Sequence, residues 1–190
     1  MRHGSPTIQP VRRRFFVSGE LLKKRMIMFS MVLLSGILHA ANDDAGKVPP
    51  RVFVDDGACP FECCTYRQWT VEKPTRLVDA PNGKKVVGTL SEGDVVQGLT
   101  GKVISTPIAA KADRDIPETP IKAGDTFYVL HYEGEGYWKV WFQGKIASVH
   151  QSVMDVPHPK AEWWVKIKDS QGNTGWALSQ GNFAHQDACE

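Results

Sequence analysis

The chain of 190 residues carries 23 Lys plus Arg, 21 Asp plus Glu, 42% hydrophobic residues, 17 Gly and 12 Pro. This suits one or two small globular domains and excludes a disordered chain or a polytopic membrane protein. Seven basic residues but only one acid, Glu20, fall within residues 1–40, so the remainder holds 16 basic and 20 acidic residues, a net of −4; such a body gives no electrostatic footing for nucleic acid or an anionic membrane.

At the front, Lys23-Lys24-Arg25 precedes the uncharged run Met26 to Leu38, and His39-Ala40-Ala41 follows with small residues. A basic patch, a short apolar run and a small-residue exit are the three parts of a secretory signal. The run is shorter than the ~20 residues a spanning helix needs. Residues 1–40 are therefore expected to be a signal peptide with an N-terminal extension, and the mature protein to be periplasmic or secreted without crossing the membrane. Arg12-Arg13-Arg14-Phe15-Phe16 looks like a twin-arginine signal but lies well ahead of the apolar run.

Residues 41–73 contain three of the four cysteines, Cys59, Cys63 and Cys64, and the fourth, Cys189, lies at the far end. An even count in an exported chain reads as disulfides, with three pairings open. Closing a loop of more than a hundred residues removes roughly 4–5 kcal/mol of unfolded-state entropy. Cys189 is thus expected to bond one of the front three, while a bridge between the adjacent Cys63 and Cys64 would strain the peptide.

From Arg51 onward there is no sustained 3.6-residue apolar period. Thr75 to Asp79 reads as a strand entering the turn Ala80-Pro81-Asn82-Gly83, with Asn-Gly as a tight-turn pair. Strands follow at Lys85–Leu90, Val95–Leu99 and Gly101–Ser105, with Ser91-Glu92-Gly93-Asp94 a turn between the first two. Residues 106–120 read as a Pro-containing loop. The pattern then restarts: Lys122-Ala123-Gly124-Asp125 repeats the Gly-Asp turn, Thr126–Tyr132 is a strand, Glu133-Gly134-Glu135-Gly136 a turn, and Tyr137–Phe142 pairs back. A second Pro-containing linker leads to Trp163–Lys168, the turn 169–173, and Gly175–Leu178. Short strands at this spacing predict an all-β barrel or sandwich.

Gly88-Thr89-Leu90-Ser91-Glu92-Gly93-Asp94-Val95-Val96, with Trp164-Val165-Lys166-Ile167 and Gly172-Asn173-Thr174-Gly175-Trp176-Ala177, resembles the bacterial SH3 (SH3b) family over roughly residues 74–184. Gly57 to Cys64 and Asp187 to Cys189 are similar to segments of exported SH3-containing proteins of unassigned function. The resemblance implies small SH3-like barrels, either two in tandem or one nested in the other, with a disulfide-tethered N-terminal segment. In the nested form residues 74–105 begin a barrel, 106–157 form a second unit or insertion, and 158–190 supply the closing strands and the C-terminal Cys. The resemblance also implies a cell-wall peptide or an envelope protein as partner.

For chemistry, Cys59, Cys63 and Cys64 could in principle serve thiol-redox or metal-binding work, with His185 as an added ligand, but their spacing is not a paired Cys-x-x-Cys set. A Cys-His hydrolase would draw on His131, His150, His158 or His185, yet needs a thiolate on a helix N-terminus. No Gly-x-Ser-x-Gly or His-Glu-x-x-His occurs. The expectation is a non-enzyme without cofactor or metal, and Glu133, Glu135, Asp55 and Asp56 read as turn solvation. The aromatic surplus is the better lead. Strand alternation puts Trp138, Val140 and Phe142 on one face and Tyr137, Lys139 and Trp141 on the other; Trp163, Val165 and Ile167 oppose Trp164, Lys166 and Lys168. Candidate ligand-binding residues are Tyr132, Glu133, Glu135, Tyr137, Trp138, Trp141, Trp163 and Trp176.

Overall fold

The computed structural model describes residues 48–153 and 155–189. The expected signal peptide and extension, residues 1–40, lie outside the described residues. Within them the regular structure is β, apart from a 3-10 turn at Gln151–Val153. In chain order the strands are β1 (Phe53–Asp56), β2 (Gln68–Val71), β3 (Thr75–Val78), β4 (Val86–Leu90), β5 (Val95–Ser105), β6 (Ile108–Lys111), β7 (Thr126–Gly134), β8 (Tyr137–Phe142), β9 (Lys145–His150), β10 (Ala161–Lys168), β11 (Thr174–Leu178) and β12 (Phe183–Ala184).

These strands form two sheets. The larger runs β12-β2-β5-β10-β11-β3-β4, with β1 added on β5; the smaller runs β6-β7-β8-β9. All pairings are antiparallel. The smaller sheet falls in sequence between β5 and β10, which pair directly with each other. Alternating burial along β5 and β10 turns one face inward, and each sheet closes on its own apolar cluster. The larger holds Trp69, Leu77, Val96, Val165 and Ile167; the smaller holds Ile121, Phe127, Val129, Trp138 and Val140.

The sequence repeat of Gly-Asp is a structural repeat. In both copies the Gly has a left-handed backbone (φ +85 at Gly93, +88 at Gly124). The Asp carboxylate accepts from the turn's first N–H: Ser91 N to Asp94 Oδ2 at 2.7 Å, and Lys122 N to Asp125 Oδ2 at 2.8 Å. Each turn also makes the same pair of bonds to one earlier residue: Gly93 N to Val71 O and Val71 N to Asp94 O, and Gly124 N to Ala112 O and Ala112 N to Asp125 O. Consequently β2-β5-β10-β11 and β6-β7-β8-β9 share one strand order.

Several details differ from the sequence expectation. Val95–Leu99 and Gly101–Ser105 are one strand of 11 residues, not two. Within it Gly101 allows a close approach: an added Cβ would overlap the Tyr66 hydroxyl and stand 2.7 Å from Ala58 O. Within the expected loop 106–120, Ile108–Lys111 forms β6 against β7. In Ala80-Pro81-Asn82-Gly83 the left-handed residue is Asn82 (φ 59), with Gly83 N bonded to Ala80 O at 2.8 Å. Pro81 occupies the second turn position and Asn82 the third, where φ must be positive. The β7–β8 connection is only Glu135-Gly136 (φ 51 and 80), a two-residue hairpin turn. The Cys-containing segment itself supplies β1 and β2.

Candidate functional site

All four cysteines are paired, Cys59 with Cys64 and Cys63 with Cys189. As expected, Cys189 bonds one of the front three and the adjacent pair is avoided. The C-terminal tail is held beside the front segment by Thr65 N to Gln186 O (2.9 Å) and Ala188 N to Cys63 O (2.8 Å). Ala58 O accepts from the Tyr66 hydroxyl and, at 3.0 Å, from Trp163 Nε1. Burial pushes the Tyr66 phenol above its ordinary value, against a smaller opposing effect of Trp163. The disulfide loop is thereby fixed to the core of the larger sheet.

On the other side this loop meets the smaller sheet. A recess of about 420 Å³ opens there, lined by Phe61, Glu62, Cys63, Glu133, Glu135 and Tyr137, together with Gly134 and Ser148. Three of the lining side chains are carboxylates and none is a cation. Glu133 is committed: Ser148 Oγ donates to its Oε2 at 2.5 Å and Lys139 Nζ lies 3.3 Å from its Oε1. Glu62 and Glu135 are exposed, and Tyr137 shows 44% of its surface. Its ring stands edge-on to His150 at 4.8 Å between centroids.

Beside the recess a partly buried polar cluster joins the two sheets. Asp55 Oδ2 on β1 accepts from Lys139 Nζ at 2.6 Å and lies 2.8 Å from His131 Nε2, while His131 Nδ1 lies 2.6 Å from Tyr132 O. Burial pulls the Lys139 ammonium toward a lower pKa, but hydrogen bonding and attraction from Asp55, with a contribution from Glu133, outweigh it and leave the pKa raised. His131 is 2% exposed and stacks on Phe53.

The eight candidate residues therefore separate. Glu133, Glu135 and Tyr137 share the recess. Tyr132 lies beneath it, edge-on to Trp138, and its hydroxyl accepts from Gly136 N at 2.9 Å. Trp138 (7% exposed) belongs to the smaller core, stacked on His158. Trp141 (8% exposed) packs on Tyr128 on the opposite face. Trp163 packs on the larger core beside Trp69. Trp176 lies on the outer face of the larger sheet under Lys102 Nζ, 5.8 Å from its ring.

Asp55 is corrected from turn solvation to a strand residue linking the sheets, and Glu133 from a turn residue to the end of β7. The Asp55 role was missed; the signal for it was His131, a polar side chain in the otherwise apolar run of β7, which needs a partner when buried. Among the described residues there is no free cysteine, no metal-ligating group of three or more His, Cys, Asp or Glu, and no helix long and apolar enough to cross a membrane. Compared with protein-family models, with curated proteins and with solved structures, the chain matches none.

Proposed function

We propose that this chain is an exported, non-enzymatic binding module of the bacterial SH3 kind. Its recess between the disulfide loop and the β7–β8 turn takes a cationic group of a cell-wall peptide or envelope protein. The observation that carries this reading is the lining of that recess: the carboxylates of Glu62 and Glu135 beside the exposed Tyr137 ring, on a floor tied down by the Cys63 disulfide. Carboxylates attract an ammonium, and a tyrosine face adds cation–π attraction of roughly 0.5–1 kcal/mol at an exposed position. Fixing the walls before binding lowers the ordering cost.

The second reading, thiol-redox or metal chemistry at Cys59, Cys63 and Cys64, has no observation in its favour, since a disulfide sulfur is neither a thiolate nucleophile nor a thiolate ligand. Retention on purified peptidoglycan tests the proposal. Trp138→Ala would report on folding because that ring is in the core, so the informative variants are Tyr137→Ala and the double variant Glu62→Gln/Glu135→Gln. Both should fold and elute earlier than the parent chain. Absence of retention of the parent, or equal retention of all three, overturns the cell-wall form of the proposal.

A further inference from the structure

The outer face of the larger sheet carries a second, chemically opposite feature. Cross-strand register sets two rows there: Lys102–Trp164–Leu178, and Thr100–Lys166–Trp176–Val78–Val86. Trp164 and Trp176 are half-buried on this face, opposite the inward Val165 and Ala177. Beside Trp164 lies a concavity of about 450 Å³, whose walls include Arg76, Lys84, Val78, Val86 and Leu178. Two cations and no carboxylate line it, although residues 41–190 carry a net charge of −4. The sign of this concavity is thus the reverse of the body's.

A second observation is independent of charge. Among the described residues strand β4 ends its sheet, pairing with β3 alone, and Val86 and Val87 on it are 49% and 39% exposed. An unpaired edge presents a row of N–H and C=O groups to any extended chain. Lys84 and Lys85 stand at its start. A second copy of the same edge would bring the same lysines and be repelled, whereas an acidic strand would be drawn in.

We infer that this edge and concavity form a docking site for an extended acidic peptide. The peptide backbone adds to β4, and its carboxylates, which share one face of the added strand, point to the concavity flanked by Arg76 and Lys84. Charge-assisted hydrogen bonds to a carboxylate supply orientation, and the edge supplies register.

The test uses a short dye-labelled peptide of alternating valine and glutamate, read by fluorescence anisotropy and by amide shifts of Val86–Leu90. Arg76→Glu/Lys84→Glu, in which both altered side chains are exposed, should keep the parent Tm and weaken binding by about tenfold or more, the scale of losing charge-assisted contacts. The same peptide with lysine for glutamate should not bind, and N-methylation of alternate amides should abolish binding. No saturable binding, unchanged affinity in the double variant, or unchanged affinity of the N-methylated peptide overturns the inference. A preference for an acidic polysaccharide over the peptide would do the same. Glu62, Glu135 and Tyr137 are untouched throughout, so this outcome and that of the peptidoglycan experiment are read separately.

Discussion

The two disulfides should differ greatly in what they contribute, because they close loops of very different length. Cys63–Cys189 spans a sequence separation of 126, Cys59–Cys64 only 5. The loop-closure entropy removed from the unfolded chain is then about 5 kcal/mol for the first and about 2 kcal/mol for the second at room temperature. For a body of this size each kcal/mol moves Tm by roughly 2–4 °C. Cys63→Ala/Cys189→Ala should therefore lower Tm by about 10–20 °C, and Cys59→Ala/Cys64→Ala by about 4–8 °C. Replacing both partners of a pair leaves the other bridge intact and no odd thiol to reshuffle. Thermal and urea unfolding followed by circular dichroism give the comparison, with coincident probes as the check that each transition is two-state. The urea m-value should also rise in the long-loop variant, since its denatured chain exposes more surface once the cross-link is gone. Equal losses from the two variants, or a larger loss from the short loop, would refute the argument: the bridges would then act through local packing rather than through the unfolded ensemble.

Three further outcomes follow from the packing. Gly101→Ala should destabilise the larger sheet by about 1–3 kcal/mol through overpacking, because its methyl would crowd Tyr66, Trp163 and Ala58 O; an unchanged urea midpoint and an unchanged Trp163 near-UV signal would contradict it. Asp55→Ala removes the common acceptor of Lys139 and His131 and should cost about 2–3 kcal/mol, the scale of a lost hydrogen bond to a charged group, whereas Asp56→Ala, whose carboxylate meets Lys102 at a more exposed site, should cost about 0–1 kcal/mol; a reversed order would count against the latch. Stability should fall at high pH: the raised Tyr66 and Lys139 values mean that the folded state keeps protons the unfolded state has lost, so their contribution is complete below the ordinary values of 10.0 and 10.5 and disappears as pH rises through the folded ones. Tyr66→Phe should reduce the alkaline slope of Tm against pH, and an unchanged slope would remove Tyr66 from the explanation.

The legible part of the fold was whatever local chemistry dictates. Gly93-Asp94 and Gly124-Asp125 announced two like turns because a left-handed Gly followed by a capping Asp needs no tertiary context. The strand faces around Trp138 and Trp163 followed from the two-residue period. What was not legible depends on contacts distant in sequence. That Val95–Ser105 is one strand, with a glycine at 101, depends on Tyr66, Trp163 and Ala58 converging on that position. Ile108–Lys111 lies in a Pro-flanked stretch and becomes a strand only because β7 is beside it. Of the candidate site, Glu133, Glu135 and Tyr137 are near neighbours in sequence and were found together, but Glu62 was not joined to them, since its place depends on the disulfides. Alternation tells which rings share a face but not how far each is buried: Trp138 and Trp141, on opposite faces of β8, are both nearly enclosed.

The insertion also explains why the sheets need a latch. Thr106 N bonds Lys160 O at 2.9 Å and Ser105 pairs with Ala161, so the smaller unit leaves and rejoins the larger one at a single point. That point is where β5 and β10 would otherwise meet in a hairpin turn; its counterpart in the smaller unit is the Glu135-Gly136 turn between β7 and β8. A unit hung from one such point could pivot, because lengthening a loop constrains it little. Asp55 supplies a second attachment some way along β7 and β8, through His131 and Lys139. The close backing of Gly134 against Phe61 supplies a third, since even a Cβ there would come within 3.2 Å of the Phe61 carbonyl carbon. Among the described residues these attachments tie the β7–β8 turn to the disulfide loop, so it cannot swing away without breaking the hydrogen bonds of Asp55 to His131 and Lys139.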